Sequence, residues 1–424
     1  MVLGALGILG CKDLTSVDVP DVIQAEDYEN AGGAYTLAVG AVTQFAVALG
    51  ENPGQVSGSG LMADELMATF TNPNQWVGLW DSRASFDPAP ETWPYDQFHN
   101  ARQRLLTAAE TFERVAPDST ARIGQLRGLI GYMSIFFGEN YCSGVPLSHR
   151  DASSLRAVYG QPQTTAQLFD SALAAFDGAM ASAAGSAREL NMARIGRGRA
   201  LLNQGRFSEA ATAVASVPTE YVYEVHYTNT FPIMNTLFGF GSPQGSITVP
   251  EQEGTNGINW RSANDPRVPL INRSPDVMGD DGETEVWSFA AYNTADAPIR
   301  LATGIEARLI EAEAALQAGD AVTWLAIHNT LRATVPGLSP LADPGIASGR
   351  VDLHFRERAF WLFLTGHRHG DLRRLVRQYG RSADTVLPIG PYRDSGQYGP
   401  AVNMSMPAIQ SINPHYVGCL DRNA

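Results

Sequence analysis

Gly304-Ile305-Glu306-Ala307-Arg308-Leu309-Ile310-Glu311-Ala312-Glu313-Ala314-Ala315-Leu316-Gln317-Ala318-Gly319 opens the stretch whose reading decides the fold, and Gly366-His367-Arg368-His369-Gly370-Asp371-Leu372-Arg373-Arg374 closes it. In the first segment Ile305, Leu309, Ala312 and Leu316 recur at i, i+4, i+7 and i+11, which gathers them on one face of a helix. Gly319 ends that helix. A second helix carries Trp324, Ile327, Leu331 and Val335 and stops at Pro336-Gly337, and a third carries Phe355, Ala359, Leu362 and Phe363 up to Gly366. The pattern predicts antiparallel helices joined by tight turns. Ala200-Leu201-Leu202-Asn203-Gln204-Gly205 aligns with Ala314-Ala315-Leu316-Gln317-Ala318-Gly319, with small residues where helices cross and Gly at the turn, a tetratricopeptide-like signature.

Further helical stripes precede this stretch: Ala38, Val42, Phe45 and Leu49; Phe98, Leu105, Ala109 and Phe112; Leu129, Tyr132, Met133 and Phe136; Phe169, Leu173, Phe176 and Met180. Inserts at 50–92, 142–163 and 219–300 interrupt the array. In the last, Tyr221-Val222-Tyr223 and Ser246-Ile247-Thr248-Val249 lie among Gly-, Asn- and Asp-rich turns and read as short strands between ordered loops.

The 424 residues are 44% apolar and 17% charged, a globular composition, and 41 Gly with 25 Pro imply long loops. A net charge of -14 argues against nucleic acid as a partner, because a phosphate-binding surface needs a basic stripe. The arginines of the helices read as ion-paired on solvated faces. No run of 18 or more apolar residues occurs, so no membrane-spanning helix is expected.

There is no H-E-x-x-H, no G-x-S-x-G elbow and no Walker-type loop, which leans away from an enzyme. His367-x-His369 is crowded by Arg368, Arg373 and Arg374, which repel a cation, so neither a metal nor a cofactor is expected. Asp371 reads as the cap of a helix running on through Leu372 and Leu375, and Asp280-Asp281-Gly282-Glu283-Thr284-Glu285 as a solvated acidic turn.

Four tryptophans, Trp76, Trp80, Trp260 and Trp287, fall in the inserts. Thr71-Asn72-Pro73-Asn74-Gln75-Trp76-Val77-Gly78-Leu79-Trp80-Asp81-Ser82-Arg83 reads as a loop without helical period, in which indoles alternate with amides and charges. Flat apolar rings supply stacking surface for a sugar, and amide and charged groups satisfy its hydroxyls. Asn259-Trp260-Arg261 repeats that chemistry. The candidate ligand-binding residues are therefore Asn72, Asn74, Gln75, Trp76, Trp80, Asp81, Arg83, Asn259, Trp260, Trp287 and Tyr292. The competing reading of these indoles is that they pin long loops to the helices. A glycoside hydrolase would need two flanking carboxylates, such as Asp81 and Glu91, which nothing in the sequence ties together.

Cys11 follows a small, apolar run, and Ile8-Leu9-Gly10-Cys11 reads as a lipobox, making residues 1–10 a signal-peptide remnant and Cys11 the lipidated residue. If Cys11 is acylated in an exported protein, Cys142 and Cys419 are the two remaining cysteines, and an oxidising compartment would allow them to pair.

The chain resembles the SusD/RagB family of outer-membrane nutrient-binding lipoproteins. The likeness is carried by Asp265-Pro266-Arg267-Val268, Pro298-Ile299-Arg300-Leu301, Ala307-Arg308-Leu309-Ile310-Glu311-Ala312-Glu313-Ala314, Phe355-Arg356-Glu357-Arg358, Gly366-His367-Arg368 with Asp371-Leu372-Arg373-Arg374, Leu387-Pro388-Ile389 and Asn413-Pro414-His415-Tyr416. Cys11, Ala63-Asp64-Glu65, Asn100-Ala101 and Ser143-Gly144-Val145-Pro146-Leu147 add to it. Thr365, His369 and Gly370 depart from the family's usual residues, and Ile389-Gly390-Pro391 opens an atypical loop. The resemblance implies an all-α dominated, SusD-like fold, with tetratricopeptide-like helix pairs as scaffold, long ordered loops and a few short strands. It implies one domain over 11–424, with a helical part at 12–218 and a loop-rich insert and C-terminal part at 219–424. It further implies a non-catalytic lipoprotein, lipid-anchored at the outer membrane and exposed at the cell surface. Such a protein hands oligosaccharides, or in some members peptides, to a SusC-like TonB-dependent transporter. An intracellular tetratricopeptide scaffold is the reading from a different class.

Overall fold

The computed structural model describes residues 29–51, 54–70, 76–84, 89, 93–151, 156–230, 233–393 and 396–423. Helices dominate. The N-terminal half holds α1 (Ala31–Gly50), α2 (Gln55–Met62), α3 (Trp76–Asp81), α4 (Trp93–Val115), α5 (Thr120–Asn140), α6 (Thr165–Ser182), α7 (Ala187–Asn203) and α8 (Phe207–Val214). The C-terminal half adds α9 (Thr236–Gly241), α10 (Gly304–Gln317), α11 (Ala321–Arg332), α12 (Ala347–Trp361), α13 (Arg368–Tyr379) and α14 (Ala383–Val386).

The scaffold is a continuous stack in which α5 packs on α6, α6 on α7, α7 on α8, α8 on α10 and α10 on α11. The two aligned hexapeptides sit at equivalent corners. Gly205 and Gly319 adopt φ of 72° and 75°, a left-handed conformation that side-chain-bearing residues disfavour, and this lets α8 and α11 fold back on their partners. Although a long insert separates them, α8 and α10 are neighbours. A two-stranded antiparallel ladder clamps the insert at its base, with Ile299 opposite Val225 and Thr303 opposite Val222.

Close packing surrounds α5. A Cβ added at Gly131 would lie 2.7 Å from the Phe176 ring of α6, and one at Gly138 would lie 2.8 Å from the Phe169 ring. Gly196 of α7 approaches Phe176 from the other side more closely still. Phe176, fully buried, is thus seated in a slot between two glycines on two helices. At its far end α5 is tied to the C-terminal segment by the Cys142–Cys419 disulfide.

Among the helices that depart from the sequence reading are α9 in the insert at 219–300 and two within the insert at 50–92. Gln55-Val56-Ser57-Gly58-Ser59-Gly60-Leu61-Met62 forms α2 and is buried on every side. Its small residues leave room for Leu66 against Gly60 and for Trp80 and Met404 against Gly58. The stretch read as a loop around Trp80 contains α3, whose terminal Asp81 accepts a 3.1 Å hydrogen bond from the Ala68 backbone. Helices this short are held by tertiary contacts, so periodicity does not reveal them. By length and composition the helical run Ala31–Met62 would qualify to cross a membrane, but in the structure Ala34, Ala38, Ala41 and Phe45 of α1 are fully buried and the helix packs on α4.

The arginines of the closing motif are not on solvated faces. Arg368, Arg373 and Arg374 are all buried, together with Asp371. Arg368 makes a two-pronged ion pair with Asp64, at 2.6 and 2.8 Å. Asp371 caps nothing; it accepts Arg358 at 2.8 and 2.9 Å and Arg374 at 2.8 Å. Burial alone would raise its carboxyl, but Arg358 and Arg374 hold it well below the ordinary carboxylate range. Arg374 continues to Glu313 at 2.5 Å, and Glu313 to the buried His354 at 3.2 Å. Arg199 grips Glu139 and donates to the Gly366 carbonyl at 2.9 Å. The two histidines of the motif face different networks. His367 lies between Glu306 at 3.0 Å and Thr365 at 2.9 Å, and His369 between Asn140 at 3.2 Å and the Val402 carbonyl at 3.1 Å.

Glu65, beside this network, accepts the Leu364 backbone N–H at 3.1 Å, and burial pushes its carboxyl up to about 8. Between the unperturbed value of 4.5 and about 8 the folded chain holds a proton that the unfolded chain releases. Stability from this group therefore falls as pH rises through that window. Thermal denaturation from pH 5 to 9 should show Glu65→Gln gaining on the native chain as pH rises, whereas parallel curves would remove Glu65 from the pH dependence. Gly196→Ala and Gly131→Ala should each cost about 1–3 kcal/mol in denaturant titrations, by forcing Phe176 out of its slot.

Candidate ligand-binding surface

The inserts converge because each supplies what another lacks. Arg83 donates its Nε to the Ala401 carbonyl at 2.9 Å and its Nη1 to the Pro388 carbonyl, joining the 50–92 insert to the C-terminal loop. Tyr392 donates its hydroxyl to Asp81 at 2.8 Å, and Arg393 stands 3.7 Å from both Asp81 and Asp281. Thr69 receives the backbone N–H of Asp280 on its hydroxyl at 3.0 Å, which brings in the acidic turn. That turn is largely exposed, and Asp281 orders it by accepting the backbone N–H groups of Glu283 and Thr284 at 3.0 and 2.8 Å. Tyr398 donates to Glu253. Burial pushes the Asp81 carboxyl up to about 7 and raises Glu253 well above the carboxylate range, with Asp81 adding to the effect on Glu253. These carboxyls are interior groups that weld loops together.

On the outside of this junction lies an aromatic platform. Trp287 is half-buried, its backbone N–H held by the Thr248 hydroxyl at 2.8 Å. The Arg261 guanidinium sits 5.3 Å from the indole centroid and is fixed by its Nε to the Val249 carbonyl at 2.9 Å. Glu285 accepts the Trp287 Nε1–H at 3.2 Å and lies 3.5 Å from Arg261. Alongside, Glu251 accepts the Ser262 backbone and hydroxyl and lies 3.4 Å from the exposed Asn259 amide. The indole is thus flanked by one cation, Arg261, and one carboxylate, Glu285, and Glu251 adds its charge around the same guanidinium. A ring that is apolar on its face and polar at its edges matches that arrangement.

Several candidate residues fall elsewhere. Trp260 is 1% exposed, its rings 4.6 and 5.1 Å from those of Phe363 and Phe360, and its Nε1–H donates to the Asp64 carbonyl. It is a core plug rather than a ligand surface. Tyr292 is buried, donates to the Leu364 carbonyl at 2.8 Å and borders a pocket of only about 20 Å³, room for little more than a water. Asp81 and Arg83 are buried structural links. Trp80 is half-buried against α2. Asn72, Asn74, Gln75, the Trp76 side chain and Cys11 lie outside the described residues. Of the proposed set, half-buried Trp287 and exposed Asn259 are linked through Arg261 and Glu251. Arg261, Glu251 and Glu285 were not among the candidates, although Arg261 adjoins Trp260 and Glu285 closes the acidic turn.

No protein-family model matches the chain, and no curated protein matches it in sequence. Its architecture does match solved structures. Surface glycan-binding protein A from Bacteroides uniformis superposes with a TM-score of 0.69 at 14% identity, over 92% of this chain and 99% of the other. A laminarin-binding SusD-like protein gives 0.67 at 14%, over 92% and 99%, and a SusD-like carbohydrate-binding protein from Bacteroides vulgatus gives 0.66 at 12%, over 91% and 97%. The chain has the SusD-like fold.

Trp260 and Trp287, the two tryptophans of the 219–300 insert, should separate in denaturation. Trp260→Ala should cost about 3–5 kcal/mol, as for a fully buried aromatic, and Trp287→Ala less than about 1 kcal/mol.

Proposed function

We propose that this SusD-fold chain is a non-catalytic glycan-capturing lipoprotein of the outer membrane, anchored through Cys11, which passes oligosaccharides to a SusC-like TonB-dependent transporter. The observation that carries the reading is the Trp287 platform, where a half-exposed indole lies between Arg261 and Glu285, with Glu251 and the exposed Asn259 continuing the polar edge beyond Arg261. The fold supports it, since neighbours of the same architecture are described as binding laminarin and other carbohydrates. A binding rather than a hydrolytic role is supported by Asp81. This candidate acid is wholly buried, with one carboxylate oxygen engaged by Ala68 and Tyr392, and so cannot flank a scissile bond. Candidate Glu91 lies outside the described residues.

Calorimetry against a panel of neutral oligosaccharides, laminarin fragments included, is expected to find a ligand whose affinity drops at least about tenfold in Trp287→Ala, the scale of a lost stacking contact. Equal affinity in the variant would remove the platform from the site. Detergent extraction of membranes should bring down a large β-barrel partner with the native protein, and a Cys11→Ser chain should appear in the soluble fraction.

A further inference from the structure

A cavity of about 750 Å³ shares no lining residue with the platform. It opens between the start of α6, the end of α7, the last turn of α13 and the C-terminal segment beyond the disulfide. Its charge balance is unusual for so acidic a chain. Arg377 lines it without a carboxylate within ion-pair distance among the described residues; its Nη2 is 3.4 Å from Asn203 Oδ1, and its buried Nε has no partner. Its guanidinium lies 6.0 Å from the Phe169 ring centroid. One helical turn earlier, Arg373 uses only Nη1, on the carbonyls of Gly138, Glu139 and Tyr141, and leaves Nε and Nη2 unpartnered.

Every other buried arginine of α13 is matched to a carboxylate, whereas these two are not. Buried N–H groups of a cation left without acceptors carry a desolvation cost that an incoming anion removes. Burial and the neighbouring Arg377 guanidinium push Arg373 down to about 9, and burial with Arg374 pushes Arg377 down to about 10, only partly offset by the nearby Glu139 carboxylate. The rest of the lining suits a polyhydroxylated molecule. Gln378 donates to the Leu202 and Asn203 carbonyls at 2.9 and 3.0 Å while its buried Oε1 accepts nothing. Asp421 faces the same space and makes no ion pair among the described residues, accepting only from Asn423.

We infer that this cavity is a second binding site, for a carboxylated saccharide such as a uronic acid, with the Arg377 guanidinium reading the carboxylate and Gln378 and Asp421 accepting from hydroxyls. The choice of a saccharide rests on the glycan-capture reading above, while the choice of an anion rests on the Arg377 guanidinium, which lines the cavity and has no carboxylate partner among the described residues.

The test is calorimetry of the full chain with trigalacturonic acid and with its methyl ester. The acid should bind, and the ester should bind at least about tenfold more weakly, as expected for loss of a charge-assisted hydrogen bond. Arg377→Gln should weaken the acid by a similar factor, Arg377→Lys should recover most of it, and Trp287→Ala should leave it unchanged. The inference is overturned if the acid does not bind, if the ester binds equally well, or if Trp287→Ala rather than Arg377→Gln abolishes binding. Should Arg377→Gln fail to fold, the comparison of acid and ester on the native chain decides alone. If no neutral glycan depends on Trp287 while the acid depends on Arg377, the platform reading fails and this site stands.

Discussion

A guanidinium removed from water must meet a carboxylate or a carbonyl, and most of this molecule can be read as the set of elements that supply them to α13. Asp64 comes from the end of α2, Glu313 from α10, Arg358 from α12 to share Asp371, and the last carbonyls of α5 accept Arg373. Breaking one partner from such a web leaves a buried charge, which costs far more than the web gains over apolar packing. Its contribution is thus to specificity of arrangement, as few other placements of these helices satisfy all the charges together. The buried α2 belongs to the same logic, since Gln55 donates to the Gly366 carbonyl at 2.7 Å and Ser59 accepts the His369 backbone at 3.1 Å.

What could be read beforehand followed from local rules. Helices such as α10 and α11 show their periodicity because one face meets water and the other does not, and Gly205 and Gly319 mark turns because their φ demands it. α2 is invisible by the same reasoning: buried all round and rich in Ser and Gly, it has neither amphipathic stripe nor helical propensity. The motif arginines look like surface charges to any composition argument, because burial of a charge depends on partners far away in the chain. Asp64 and Arg368 are 304 positions apart.

The site was legible at the level of residue type more than of position. Tryptophans in inserts were singled out on chemical grounds, yet Trp260 and Trp287 have opposite fates. Trp260 meets Phe360 and Phe363 of the segment that closes α12, contacts no local pattern announces. Trp287 stays at the surface because the short strand that carries it, paired with Leu270–Asn272, places it opposite the exposed Asn272. Arg261 and Glu285 become meaningful only once the folded loops lay them across that indole.

The ladder that closes the 219–300 insert makes it a cassette with a fixed mount. Its ends are held side by side at Val222–Val225 and Ile299–Thr303, so lengthening what lies between adds only a slowly growing, logarithmic entropy of closure and leaves the helical stack in place. Trp260, Val268 and Phe289 add further points of attachment to the core, and Arg267 pairs with the buried Glu357 of α12. Arg261, Glu285 and Trp287 are among the outward-facing positions of that cassette, so ligand preference can be rewritten by exchange there while the buried anchors hold the scaffold's shape.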